Sequence, residues 1–333
     1  MSSGRLTLKV AVEKYPLKKP FRITDYTMED AEVVTVTLER NGHRGLGEAS
    51  GVYYRENDDI PGVLSQIEAV RTRVEAGISR STLQELLPSG GARNAIDCAL
   101  WDLEAKETGR AAWQIAGLAR PRALLTTFTV GADQPEKMAA DALAYGQAKA
   151  IQLKLTGDSD DAQRVRAVRA VRPDVWLGVD ANQGFNGESL ASLMPVLVDS
   201  RVQLIEQPFR VGQEAQLDGL ASPIPIAADE SVQGLSDLPG LLGRFAVVNI
   251  KLDKCGGLTE GLSMAREARR RGLIVMVGNM VGTSLAMAPA FLVGQLCQIV
   301  DLDGPVFLRT DRAQSVAYEN GNIYCPDAVW GAP

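Results

Sequence analysis

Three short apolar runs in this chain end in a carboxylate. Trp176-Leu-Gly-Val leads into Asp180, Val202-Gln-Leu-Ile into Glu206, and Pro225-Ile-Ala-Ala into Asp229. Alone, each reads as a buried strand that stops at a solvated turn. The recurrence changes that reading. The intervals are 26 and 23 residues, about the length of one strand, one helix and two loops. Carboxylates at the ends of successive strands, one repeat apart, suit a hard cation at the mouth of a barrel. Mg2+ is the expected ion, with Mn2+ as an alternative. Zinc is disfavoured because no His or Cys joins the three.

Two lysines end the runs that flank these three in sequence. Lys154 closes the second strand-like segment of the repeat and Lys251 the sixth, which places them on opposite sides of a barrel axis. Each can move a proton on one face of a flat intermediate. A lysine near a divalent cation and a second positive charge is pushed toward neutrality and can act as a base. A cation between them stabilises the charge that develops when a proton leaves the carbon beside a carboxylate. That is the chemistry of a racemase or epimerase. Asp301 and Asp303 bracket Leu302 on the eighth run and share a side-chain direction. An ammonium group is their natural guest.

The single histidine, His43, sits in the tight-turn sequence Asn41-Gly-His-Arg-Gly45. Histidine-based triads and a histidine base between strands are thereby set aside. Acid–base work falls to Lys, Asp, Glu, Tyr or Cys.

A barrel must position these groups. Strand-like and helical runs alternate from residue 123 at a spacing near 25 residues, giving eight strands and seven helices up to Asp303. The strands are expected at 124–130, 150–155, 175–180, 202–207, 224–229, 246–251, 273–278 and 298–303. Helices are expected near 135–147, 159–171, 187–199, 213–221, 236–243, 259–271 and 284–295. An open doubly wound sheet is the alternative, but no GxGxxG opens the first turn. Residues 1–122 read differently. Three antiparallel strands precede helices at 61–75, 81–86 and 92–106, which describes an α+β capping domain. Tyr15 to Asp30 reads as a loop. Residues 304–333 have no place in the repeat and are expected to pack back on the cap. The fold class is therefore α/β, a modified TIM barrel of the (β/α)7β type with an N-terminal cap completed by the C-terminal tail.

The whole chain bounds the partners. Its 333 residues suffice for a barrel with an addition, and 45% hydrophobic with 23% charged residues is ordinary for a globular protein. A net charge of −6 argues against nucleic acid and a membrane surface as partners. Four cysteines are scattered without a CxxC pair, so neither zinc nor a disulfide framework is expected. No signal peptide or membrane-length apolar run is read, and a reducing cytoplasm fits best. Homo-oligomerisation is only a prior for enzymes of this type.

With these residues in place, the chain resembles the enolase superfamily in its muconate-lactonizing branch, and dipeptide epimerases of the L-Ala-D/L-Glu type most closely. The resemblance spans nearly the whole chain. It rests on GGARNAIDCALWDLEAK in the cap and on QLKLTG, GVDANQ, LIEQP, AADES, NIKLDKCGGLTE and DLDGP in the barrel. It implies Asp180, Glu206 and Asp229 as metal ligands, Lys154 and Lys251 as the acid/base pair, and Asp301 and Asp303 as partners of a dipeptide ammonium. It gives Lys254, in the loop after the sixth strand, no catalytic role. The activity implied is a Mg2+-dependent two-lysine proton transfer at the α-carbon of the C-terminal residue of a dipeptide. On the same scaffold, o-succinylbenzoate synthase or muconate cycloisomerase activity is the alternative, and a non-catalytic ligand-binding barrel is a rival of another class. Asp301 and Asp303 oppose the first, because those substrates carry no ammonium.

Two departures from the family pattern stand out. The family's Lys-x-Lys on the second strand is Gln152-Leu-Lys154 here. Gln152 can hydrogen-bond to substrate or neighbours but brings no charge to lower the pKa of Lys154. A rate optimum shifted to alkaline pH is expected, and a pH–rate profile with an unshifted optimum counts against it. Secondly, Ala-Glu epimerases resemble one another in an arginine on the first cap loop. In Phe21-Arg-Ile-Thr-Asp-Tyr-Thr-Met-Glu-Asp30 the matching stretch from Asp25 to Met28 has none, and Arg22 comes too early. Asp25, Glu29 and Asp30 make the loop acidic, so Ala-Glu is not expected to be the best substrate. A second cap loop, Gly47 to Glu56, offers Tyr53, Tyr54 and Arg55 as contacts, and Gly278 to Gly282 is expected to shape the pocket floor.

Overall fold

The computed structural model describes residues 5–24 and 26–333. The chain opens with an antiparallel sheet of β1 (Thr7–Arg22), β2 (Thr27–Arg40) and β3 (His43–Ala49). β1 and β2 pair from Thr7↔Glu39 to Pro16↔Asp30, and again at Phe21↔Met28 after an irregularity. Most of the stretch from Tyr15 to Asp30 is thus a two-stranded ribbon rather than a loop. Its side chains are largely exposed or half-buried, so the alternation that marks a half-buried strand is missing there. The buried Leu17 within it and Ala31 just after it pack with Phe307 and Leu308 of the tail.

Four helices follow: α1 (Ile60–Glu75), α2 (Arg80–Leu86), α3 (Gly91–Thr108) and α4 (Ala112–Ile115). Asp59 caps α1 by accepting from the Gly62 N–H, with Pro61 in the first turn. α3 is buried on nearly all sides between β3 and the barrel. Two glycines permit that approach. A Cβ at Gly45 would stand 2.2 Å from the Ala99 carbonyl oxygen, and one at Gly47 would stand 2.0 Å from that of Ala95.

After β4 (Leu124–Leu125) come eight parallel barrel strands: β5 (Phe128–Val130), β6 (Ala150–Lys154), β7 (Trp176–Asp180), β8 (Leu204–Glu206), β9 (Ile226–Ala228), β10 (Val247–Ile250), β11 (Ile274–Val277) and β12 (Ile299–Val300). They neighbour one another in sequence order, as successive right-handed crossovers require. Thr127 N–H donates to the Val300 carbonyl at 2.9 Å, which ties the first strand to the last. The expected first strand is split, because Leu124 and Leu125 leave the barrel to pair with the tail.

The outer helices are α5 (Pro135–Ala144), α6 (Asp161–Val171), α7 (Gly187–Asp199), α8 (Leu238–Leu241), α9 (Leu252–Cys255), α10 (Leu258–Arg270) and α11 (Ser284–Gly294). The crossover expected to be helical at 213–221 holds only a 3-10 turn, Glu214–Leu217, and α8 is a single turn. Gly219 interrupts the first segment, and Pro239, Gly240 and Gly243 interrupt the second. α9 was not anticipated from the sequence. No helix among the described residues is long and apolar enough to cross a membrane.

The tail touches both halves of the molecule. β13 (Ala317–Glu319) and β14 (Asn322–Tyr324) form a small sheet with β4 beside the barrel. The Trp330 indole N–H reaches the Leu46 carbonyl in the cap at 2.8 Å, and Arg312 pairs with Glu13 and the buried Glu48. A buried polar seam also joins α3 to the barrel. Asp97 accepts from Thr259 Oγ1 at 2.6 Å, Arg93 donates to the Cys255 carbonyl and pairs with Glu260, and Asn94 reaches Asp253. The same Asp253 accepts from Ser50 N–H at 2.9 Å, anchoring the second cap loop.

Candidate active site

Strand register sets the site. In the parallel ladders Lys154 pairs with Asp180, and Asp180 with Glu206, so three charged residues stand side by side at the C-terminal ends of β6, β7 and β8. Asp229 follows β9 directly, and Lys251 begins the turn after β10. Asp180, Glu206 and Asp229 offer carboxylate oxygens that all lie within 4.8 Å of one another, and all three are buried. Three carboxylates cannot share so small a volume without positive charge. This oxygen-only donor set fits a hard divalent cation.

The protein itself supplies three ammonium groups. Lys154 Nζ meets Asp180 Oδ2 at 2.5 Å, Lys251 Nζ meets Asp229 Oδ2 at 2.6 Å, and Lys254 Nζ meets Asp229 Oδ1 at 2.5 Å. Among the described residues, Glu206 has no ion-pair partner of its own. Gln152 donates its amide to Oε2 at 2.9 Å and Asn249 donates to Oε1 at 2.7 Å. The two amides are placed alike, each two residues before a site lysine and hence on the same inward face one layer deeper.

The titration of the site follows from these pairings. Burial would pull Lys154 down, but Asp180 and Glu206 outweigh it and hold the ammonium above the ordinary lysine range. Burial likewise opposes charge on Lys251, and Asp229 and Glu206 raise it well above that range. Glu206 is raised by burial and by the charges of Asp180 and Asp229. Asp229 is held below the usual carboxylate range, its burial outweighed by Lys251 and Lys254. Glu230 is pushed up to about 7 by burial, with Asp229 and Asp180 adding to the effect.

A cavity of about 610 Å3 opens above this group. Lys154, Asp229, Glu230, Lys251 and Asn182 line its floor, with Met280 and Val281 on one wall. The cap supplies the roof through Ile23, Tyr26, Met28, Tyr53 and Tyr54. The Tyr26 and Tyr53 rings stack with centroids 4.9 Å apart and 10° between planes, joining the two cap loops. Thr24 Oγ1 donates to the Ala181 carbonyl at 2.8 Å, which fastens the first loop to the end of β7. Asp25 lies outside the described residues.

The other sequence-predicted positions divide. Tyr54 lines the cavity. Gln152 does not: it is 0% exposed, and its amide is used on Glu206 instead of on a ligand. Asp301 and Asp303 follow β12 and are buried. Asp301 accepts from the Thr127 hydroxyl and Asp303 from the Thr129 N–H at 2.6 Å. Burial raises both carboxyls, Asp303 to about 7 with Asp301 adding, while Lys154 pulls Asp301 down. Lys254 lies in the helical turn α9 rather than in a loop, and its ammonium is wholly buried against Asp229. Asn249 was also missed, although its i, i+2 relation to Lys251 repeats that of Gln152 to Lys154.

Comparison with known proteins agrees with this architecture. Residues 135–329 match the enolase C-terminal domain-like family, and residues 5–117 match the mandelate racemase / muconate lactonizing enzyme N-terminal domain. The L-Ala-D/L-Glu epimerase of Escherichia coli K12 is 40% identical over 96% of this chain and 99% of its own. An enolase family member from Agrobacterium tumefaciens with homology to dipeptide epimerases, solved with sodium and L-Ala-L-Glu, is 41% identical. It superposes with a TM-score of 0.94 over 98% of this chain and 100% of its own. The dipeptide epimerase of Methylococcus capsulatus, solved with Mg and L-Arg-D-Lys, is 29% identical with a TM-score of 0.89 over 97% of each chain. With both domains matched in order and the strand-end carboxylates in place, this chain belongs to the mandelate racemase / muconate lactonizing enzyme family of the enolase superfamily.

Proposed function

We propose that this protein is a dipeptide epimerase that inverts the α-carbon of the C-terminal residue, using Mg2+ and two lysines. The observation that carries the reading is the placement of Lys154 and Lys251. Each pairs with a different outer member of the carboxylate triad, and both line the cavity floor. Mg2+ held by Asp180, Glu206 and Asp229 would supply the positive charge that makes the proton beside a bound carboxylate removable. Carboxylates engaged in that way hold the lysines less tightly, which moves both toward the neutral form a base needs. One lysine takes the α-proton as the C–H bond breaks and its electron pair moves toward the substrate carboxylate. The other lysine returns a proton to the opposite face. Asp301 and Asp303 receive the ammonium of the dipeptide.

Substrate choice lies with the cap. Among the described residues lining the cavity, Lys14 is the one cation besides the two site lysines, and it is paired with Asp30 at 3.0 Å. Met28 stands on the roof, and Glu29, Asp30 and Glu32 lie along the rim. That lining supports a neutral, hydrophobic or cationic side chain on the epimerised residue over the glutamate accepted by the Escherichia coli relative. The test is incubation with Mg2+ in D2O with a panel of dipeptides, read by mass spectrometry and chiral analysis. Leu-, Tyr- and Lys-ending dipeptides are expected to gain one deuteron and epimerise faster than Ala-Glu, and N-acetyl amino acids more slowly than any dipeptide. Ala-Glu turning over fastest rejects the specificity. No exchange with any dipeptide rejects the activity.

A further inference from the structure

Among the described residues, four buried acceptors around the triad have no donor: Gln152 Oε1 and Asn249 Oδ1 behind Glu206, and Asn182 Oδ1 and Glu230 Oε2, which alone of the four belong to residues lining the cavity. Asn182 lies two residues after Asp180, and its backbone N–H donates to Asp180 Oδ1 at 2.7 Å. Glu230 adjoins Asp229 and is 3% exposed. Asn182 Nδ2 approaches Glu230 Oε1 at 3.4 Å, so the pair bridges the ends of β7 and β9 directly over the site. Both residues line the cavity floor with Asp229.

A buried acceptor without a donor is costly, and natural structures rarely leave two together. The nearby ammonium groups do not fill the gap. Lys154 is engaged by Asp180, and Lys251 and Lys254 by Asp229. Nor is Glu230 part of the triad, because among the described residues only Asp180, Glu206 and Asp229 bring ligand atoms within 4.8 Å of one another. The missing donors belong to something that enters with the ligand. A hard cation that takes three carboxylate oxygens retains water in its remaining positions, and such water is a strong donor that needs acceptors.

We propose that Asn182 and Glu230 are positioning residues that accept hydrogen bonds from the waters retained by the cation, and so set its affinity and orientation. The inference rests on the reading of the triad as a Mg2+ site. Asn182 and Glu230 do not ligate the ion, and neither takes the α-proton.

The test uses the full-length protein freed of metal, titrated calorimetrically with Mg2+ and Mn2+. Glu230→Met removes the acceptor and is expected to weaken Mg2+ binding about 10- to 100-fold. Its metal-free melting temperature is expected to equal or exceed that of the parent, because an orphaned polar atom is gone. Glu230→Gln keeps an acceptor oxygen and is expected to recover most of the lost affinity. A Kd for Glu230→Met within two-fold of the parent overturns the proposal. So does an equal loss in Glu230→Gln and Glu230→Met, which would assign the effect to net charge. If the parent itself binds neither cation, the metal reading of the triad falls as well.

Discussion

Lys154→Ala and Lys251→Ala are each expected to abolish epimerisation while leaving proton exchange intact on one enantiomer only. The two ammonium groups sit at the ends of β6 and β10, with three strands and the carboxylate triad between them. On the proposed reading, a substrate carboxylate held by a cation at the triad would present one face of its α-carbon to each lysine. With one lysine gone, the other can still remove a proton and return a deuteron to the same face. Inversion needs both. A positioned acid or base contributes about 10²–10⁴-fold to rate, so inversion is expected to fall by at least that factor in each variant. The two variants should exchange opposite enantiomers. Chiral separation after incubation in D2O reads both quantities together. Melting curves with saturating Mg2+ show whether the site survives loss of the ammonium, since each lysine also balances a buried carboxylate. Exchange of the same enantiomer by both variants would contradict the two-face arrangement. Near-normal inversion by either would remove that lysine from the reaction.

The residues behind that expectation are the ones a sequence displays well. A parallel barrel strand is buried on both faces, so it reads as an apolar run, and a charge at its end is conspicuous. Asp180, Glu206, Asp229, Lys154 and Lys251 are legible for that reason, as are the eight strands that carry them. Other features depend on contacts remote in sequence. The ribbon from Tyr15 to Asp30 is held by cross-strand pairing and by Phe307 and Leu308 from the far end of the chain. Its exposed faces leave no period for a reader to find. Glu230 looks like the first residue of a turn until the structure shows it buried beside Asn182 at the cavity floor. The shortened helices after β8 and β9 fail in the opposite direction, because a spacing near 25 residues implies a helix even where Gly and Pro interrupt it. Lys254 combines both difficulties. Its run, Lys251-Leu-Asp-Lys254, looks like a solvated turn, yet α9 folds back so that the Lys254 side chain is buried against Asp229.

Lys254→Met is expected to destabilise the metal-free protein and, at the same time, to strengthen Mg2+ binding. An ammonium has three protons to donate. Here all three have acceptors: Asp229 Oδ1, the Asp229 backbone carbonyl, and the Asn249 carbonyl at 3.1 Å. The side chain is 1% exposed, so no water can replace it. Methionine fills the same space but leaves two carbonyls and part of a carboxylate buried without donors. Removing one partner of a buried ion pair costs about 3–5 kcal/mol. Lys251 remains on Asp229, which places the expected loss toward the lower end of that range. Urea denaturation in the presence of a chelator measures it. The effect should reach the cap, because Arg55 on the second cap loop donates to the Lys254 carbonyl at 3.0 Å and to the Ser89 carbonyl at 2.7 Å. A looser α9 loosens that loop. The metal effect has the opposite sign for a simple reason. Lys254 competes with any cation for Asp229 Oδ1, so its removal frees that oxygen and lowers the Kd for Mg2+. Saturating Mg2+ should therefore recover part of the lost stability by mass action. A direct proton-transfer role for Lys254 predicts something else: lost turnover with unchanged stability and unchanged Mg2+ affinity. Its three filled acceptors and its absence from the cavity wall argue for the first outcome. A stability loss below about 1 kcal/mol, the size of an ordinary exposed ion pair, would show that its burial does not matter.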